Sequence, residues 1–179
     1  MSEVKKVLAQ VHKSYAAHYE AQGSIPTTEY VDEWQSPCYQ GAPEGEHIAW
    51  QAVEQVPSTE FNNVEKALEL KLHHSVKDFF SRYWAGDLQV RFREHNLTLL
   101  QVQLPEDAER LQQNLIGHVM MKQRLRQPVT LFIGLGTEDD LILSVNNETG
   151  TVGLEYVGKE QHEVLASDLV FFLERVQPI

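Results

Sequence analysis

The chain has a single cysteine, Cys38. One thiol forms no internal disulfide, so packing must hold the fold, and this usage suits a reducing compartment. Long apolar runs are missing too. Leu131-Phe132-Ile133 and Leu169-Val170-Phe171-Phe172-Leu173 fall far short of the roughly 20 residues that span a bilayer. No such run follows Met1-Ser2-Glu3-Val4-Lys5-Lys6, so no signal peptide is expected, and any membrane association must run through a partner. Internal repeats and low-complexity tracts are absent. Lysine and arginine are absent from residues 14–65, which hold nine acidic residues.

Charge is accordingly blocky. The net charge is −11. Residues 1–13 carry +2, residues 14–65 carry −9, residues 66–126 carry +3 and residues 127–179 carry −7. A nucleic-acid binder needs a concentrated basic surface. Here the basic groups are the short clusters Arg91/Arg93 and Lys122/Arg124/Arg126, flanked by acids. Binding to phosphate backbones or directly to anionic lipid is therefore not expected. The natural partner of an acidic block is a basic protein surface.

With 179 residues, 42% of them hydrophobic and 23% charged, the chain suffices for one globular domain with a real core. Val4, Val7, Leu8, Val11, Tyr15 and Tyr19 recur at helical steps and predict a helix over about 3–22, capped by Ser2 and ended by Gly23. Residues 23–60 are rich in proline and glycine, with a strand at 47–53 around Trp50. Phe61, Val64, Leu68, Leu72, Val76, Phe79 or Phe80, and Tyr83 predict one helix of about 62–84, or two with a break near 70–72, closed by Gly86. A hairpin follows, with strands at 88–92 and 97–102 and a turn at His95-Asn96. Pro105-Glu106-Asp107 starts a helix whose inner face is Ala108, Leu111, Leu115 and Val119. Lys122, Arg124 and Arg126 then sit where a helix C-terminus favours cations. Strands are predicted at 129–135, 141–145 and 151–157, and Ser167-Asp168 opens a last helix to about 176. Hairpin links favour an antiparallel sheet. The expectation is a single α+β domain, residues 1–179, with N-terminal, central and C-terminal helices packed on a mostly antiparallel sheet.

Catalytic and metal patterns are scarce. His73 and His74, if helical neighbours, point about 100° apart. His74 and Asp78 share a face at i, i+4, but no HExxH pattern accompanies them. Gly134-Leu135-Gly136 runs into Thr137-Glu138-Asp139-Asp140, which repels phosphate, and no P-loop, GxGxxG, GxSxG or EF-hand pattern occurs. Cys38 has no evident histidine partner. No cofactor, metal or enzymatic activity is expected. The residues by themselves point to an acidic binding module.

Several stretches resemble the Syd family across nearly the whole chain. They are Ser36-Pro37-Cys38, the Trp50 strand, Asn63-Val64-Glu65-Lys66-Ala67, Phe79–Asp87 ending in Ala85-Gly86-Asp87, and Leu97-Thr98-Leu99-Leu100-Gln101. The most specific is Gln113-Asn114-Leu115-Ile116-Gly117-His118. Lys122-Gln123-Arg124-Leu125 and Pro128-Val129-Thr130-Leu131-Phe132-Ile133 follow it. Gln113 stands where the family usually has Glu, and Pro-Val-Thr where its pattern is close to Pro-Pro-Thr or Pro-Thr. The resemblance implies the α+β fold of the SUKH superfamily and no catalysis. It also implies binding to the SecY subunit of the translocation channel, through an acidic concave surface, by a cytoplasmic protein held peripherally at the inner membrane. Monitoring or modulation of channel assembly is the implied role. The same superfamily and charge suit an alternative, an immunity protein neutralising a basic toxin such as a nuclease.

On this reading the candidate partner-binding residues are Glu46 near the Trp50 strand, Glu54, Glu65 on its helix, Asp87 after the Ala-Gly turn, and Glu106 with Asp107. Their bland roles differ. Glu106 and Asp107 suit a helix N-terminus, Asp87 a turn cap, and Glu65 a solvated helix position. Trp50 and Trp84 suit the core, and His118 a packed position with a backbone partner.

Overall fold

The computed structural model describes residues Met1–Ile179. Helix α1 (Glu3–Glu20) buries Val4, Leu8, Val11 and Tyr15 of the six-residue stripe expected of it, with Val7 and Tyr19 half-buried, and it also buries His12. The Ser2 hydroxyl accepts from the Lys5 N–H at 3.2 Å and caps its start. The proline- and glycine-rich stretch that follows is more ordered than its composition suggests. Strands β1 (Thr27–Glu29), β2 (Tyr39–Glu44) and β3 (His47–Trp50) form a small antiparallel sheet in the order β1-β3-β2. The two-residue strand β4 (Val53–Glu54) pairs with β5 (Tyr83–Trp84).

The second helical pattern is split. Helix α2 (Asn62–Leu68) ends at Glu69, whose φ of +50° is left-handed, and α3 spans His74–Ser81. Glu65 fastens the break. Its carboxylate accepts from the Leu72 N–H at 2.8 Å and from the Lys77 ammonium at 3.2 Å. Tyr83 leaves the helix for β5. Gly86 closes no helix. A Cβ there would lie 2.4 Å from the Trp50 indole nitrogen, so the indole packs where only glycine leaves room.

Seven strands make the main sheet: β6 (Leu88–Phe92), β7 (His95–Leu99), β8 (Thr130–Leu135), β9 (Leu141–Asn146), β10 (Val152–Tyr156), β11 (Glu163–Ala166) and β12 (Gln177–Pro178). Their order is β11-β10-β9-β8-β7-β6-β12, every pair antiparallel. The hairpin turn falls at Arg93-Glu94, with Arg93 at φ +53°, and His95 and Asn96 already belong to the returning strand. Asn96 drew the expectation two residues too far because asparagine is the usual turn former. The sheet curls. Four strand spacings separate β7 from β11, about 19 Å if flat, yet His95 of β7 reaches Glu163 of β11 at 2.8 Å. Bulges in β8–β9 and β10–β11 help to bend it.

Helix α4 (Pro105–Arg124) and the short α5 (Leu169–Leu173), capped by Asp168, complete the order. One cluster of 35 buried hydrophobic residues joins α1, the α2–α3 pair, α4, α5 and the sheet. Trp50 and Trp84 belong to it, as expected. Lys122 corrects the reading of the basic cluster. Arg124 and Arg126 are exposed, but Lys122 is fully buried, 3.3 Å from the buried carboxylate of Glu155. Its ammonium also donates to Gln127 Oε1 at 3.0 Å and to the Lys159 carbonyl at 2.8 Å. Glu155 accepts from the hydroxyls of Thr130 and Ser144, both at 2.8 Å. The Thr130 hydroxyl, having donated to Glu155, accepts from His118 Nε2 at 3.0 Å. His118 is thus a packed histidine with a side-chain partner, and burial lowers its pKa.

Candidate partner-binding cleft

Between the small sheet and the N-terminal half of α4 lies a cleft of about 570 Å³. Leu100–Gln103, the segment leaving β7, lies along it. Thr28–Trp34 forms one wall, the Asp107, Arg110, Leu111 and Asn114 face of α4 the other, and Phe132 and Asp87 complete it. Gln103 ties the parts together. Its backbone carbonyl accepts from Ser36, its side-chain oxygen accepts from the Tyr39 hydroxyl at 2.7 Å, and its amide donates to Thr28 at 3.1 Å.

Two of the six candidate acids meet here. Asp87 Oδ1 accepts from the Gln101 N–H at 2.9 Å. Asp107 sits in the first turn of α4, and its Oδ2 reaches back to the Gln103 N–H at 2.9 Å, as a capping side chain does. Each carboxylate thus spends one oxygen on the backbone of the same strand exit, leaving the other without a protein partner. Asp87 opens to solvent at the cleft mouth but is crowded by protein on its other sides. That crowding pushes its pKa up to about 6, against the Gln101 hydrogen bond and with the neighbouring Asp107 charge adding to the rise. Burial also raises Asp107, opposed by its own backbone bond and by Arg110. The Arg110 guanidinium lies 5.0 Å from the centre of the Trp34 ring, at the rim.

The other four acids lie elsewhere. Glu46 is exposed on the β2–β3 hairpin. Glu54 is exposed and paired with Arg82 at 2.9 Å. Glu65 is buried on α2, its carboxylate turned onto the α2–α3 turn. Burial works against its charge there, but the Leu72 N–H and the Lys77 ammonium hold its pKa below the ordinary value. Glu106 is exposed in the first turn of α4, facing solvent.

Residue reasoning missed most of the cleft, Glu29, Trp34 and Asn114 among its members. Glu29 belongs to the acidic block, but nothing in a three-residue strand marks its direction. Trp34 sits in a loop without periodicity. Asn114 carried the clearest signal. It lies seven residues after Asp107, two helical turns on, and therefore on the same face.

The histidine pair also needs correcting. His73 is the cap of α3 rather than a helical residue, so the 100° offset does not apply, and the His73 and His74 rings stack at 4.6 Å. No helix is long and apolar enough to cross a membrane.

Comparison with known proteins converges on one family. The model of "Syd protein (SUKH-2)" matches residues 5–178. The chain is 43% identical over 174 residues to Protein Syd of Idiomarina loihiensis, covering 97% of this chain and 95% of that one. It is 42% identical over 180 residues to Protein Syd of Pseudoalteromonas atlantica, covering 99% and 97%. With Protein Syd of Alteromonas mediterranea the identity is 45% over 175 residues, 97% of each chain. The antiparallel α+β fold, the match from residue 5 to residue 178 and these full-length likenesses together place the chain in the Syd protein family.

Proposed function

We propose that the cleft binds basic cytoplasmic loops of the SecY subunit of the translocation channel, holding this protein peripherally at the cytoplasmic face of the inner membrane without catalysis. The observation that carries the reading is the Asp87–Asp107 pair. Two carboxylates fixed by backbone hydrogen bonds keep their free oxygens for a guest, with Glu29 also lining the cleft and only Arg110 of the other sign on the walls. Such a site suits a lysine or arginine side chain. The Trp34, Leu111 and Phe132 surfaces receive the apolar stem of that side chain. Cytoplasmic loops of membrane proteins are rich in these residues. The exposed Glu46, Glu54 and Glu106 add long-range attraction.

Purified protein added to nanodiscs with and without SecY-containing channels tests this. Binding is expected to the channel discs alone, weakening as salt rises. The double variant Asp87→Asn/Asp107→Asn is expected to weaken it by at least about tenfold, a loss of about 1.4 kcal/mol or more. No binding by folded protein at low salt sinks the proposal. A basic toxin, the immunity-protein alternative, is then the partner to try.

A further inference from the structure

Residues from distant strands of the main sheet meet at a point outside the cleft. His95 opens β7, Glu163 opens β11, and Glu94 occupies the β6–β7 turn. His95 Nε2 lies 2.8 Å from Glu163 Oε2 and 3.4 Å from Glu94 Oε1. One ligand atom from each of the three lies within 4.8 Å of the others. Two carboxylates therefore converge on one ring nitrogen. That nitrogen offers one hydrogen or one lone pair. A proton on it serves one carboxylate at a time, whereas a cation among the three groups serves all of them.

We propose that Glu94, His95 and Glu163 bind a divalent transition metal, with zinc the best match. Zinc takes imidazole nitrogen and carboxylate oxygen at about 2.0–2.2 Å, so tetrahedral ligands sit about 3.3–3.5 Å apart. The His95–Glu94 spacing already has this value. Glu163 needs to draw back by about half an ångström to reach it, and its side chain is 44% exposed and free to do so. The imidazole, 21% exposed, is the fixed element, and the two carboxylates adjust around it. Magnesium and calcium prefer all-oxygen shells and do not suit a histidine-led set. Three protein ligands leave a fourth position for water or a donor from outside. A bound ion clips the β6–β7 turn to β11 and fastens the curl of the sheet.

Titration calorimetry of the full chain with zinc chloride, beside magnesium and calcium chloride, tests the site. X-ray absorption at the zinc edge reads its ligands. One zinc per chain is expected at micromolar affinity, with one imidazole nitrogen and oxygen neighbours. His95→Gln and Glu163→Gln are each expected to weaken it by at least about tenfold, since even outer-shell changes cost about 10–100-fold. All three residues are at the surface, so circular dichroism should show the variants folded. The stacked His73–His74 pair is the rival site, and His74→Gln should leave zinc affinity unchanged. Loss of binding in His74→Gln, unchanged binding in His95→Gln, or no saturable uptake below millimolar zinc overturns the proposal.

Discussion

His12 and Asp87 titrate over nearly the same pH range and pull stability in opposite directions. The His12 Nε2–H donates to Gln101 Oε1 at 3.0 Å, because the Gln101 amide nitrogen is spent on the Leu100 and Phe79 carbonyls. Burial lowers its pKa from 6.5 to about 4. The folded state then refuses a proton that the unfolded chain accepts, so stability falls as pH drops from 6.5 towards 4, by about 3 kcal/mol for a fully buried group. Asp87 moves the other way. Its folded pKa lies above the unfolded 3.8, so folding holds the proton, and stability falls as pH rises from 3.8 to about 6. Solvent reaches Asp87 and weakens that effect, so His12 should win. Denaturation midpoints measured between pH 4 and 7 should rise with pH, and more steeply in Asp87→Asn. The proposed partner binding is expected to respond to Asp87 directly. Attraction for a basic loop is expected to fade as pH drops through about 6, and Asp87→Asn should flatten that profile.

At the scale of elements, two polar devices hold the helices in place. Glu65→Ala strips a partner from the buried Leu72 N–H and loosens Lys77, which should cost about 1–3 kcal/mol by urea denaturation. The Lys122–Glu155 pair matters more. Glu155→Gln leaves a fully buried ammonium without its counter-charge, and a loss of about 3–5 kcal/mol is expected. Adding Lys122→Met should recover much of it, because the unpaired ammonium is then gone and the substituted amide can accept from one of the Thr130 and Ser144 hydroxyls through its oxygen while its NH2 donates to the other. Equal loss in the single and double variants would show that the charge pair is not the source. Neither device was legible beforehand. Glu65 and Lys122 sit on helices where a charge is ordinarily solvated, and their partners come from residues up to 37 positions away. The helices and long strands were legible, since apolar periodicity states which face turns inward. The short strands β1, β2, β4, β5, β11 and β12 were not, because two to six residues carry too little pattern. Within the cleft, Asp87 and Asp107 were named in advance for their charge. That a strand exit brings them together is a tertiary fact.

For the whole molecule, the charge pattern governs encounter more than affinity. Glu46 stands outside the cleft with no ion pair. Glu46→Lys is therefore expected to slow association with the channel at low salt while leaving dissociation nearly unchanged. A changed dissociation rate in stopped-flow or surface measurements would put Glu46 inside the interface instead. The curl of the main sheet has a different consequence. A seven-stranded open sheet has two bare borders on which a second chain can grow by β-pairing. Here the start of β11 is turned back onto β7, and α5 packs against the same strand. The opposite border is only two residues long and ends in Pro178, which has no N–H to offer. Little of the sheet is left as a template, so the fold itself guards against polymerisation at high protein concentration.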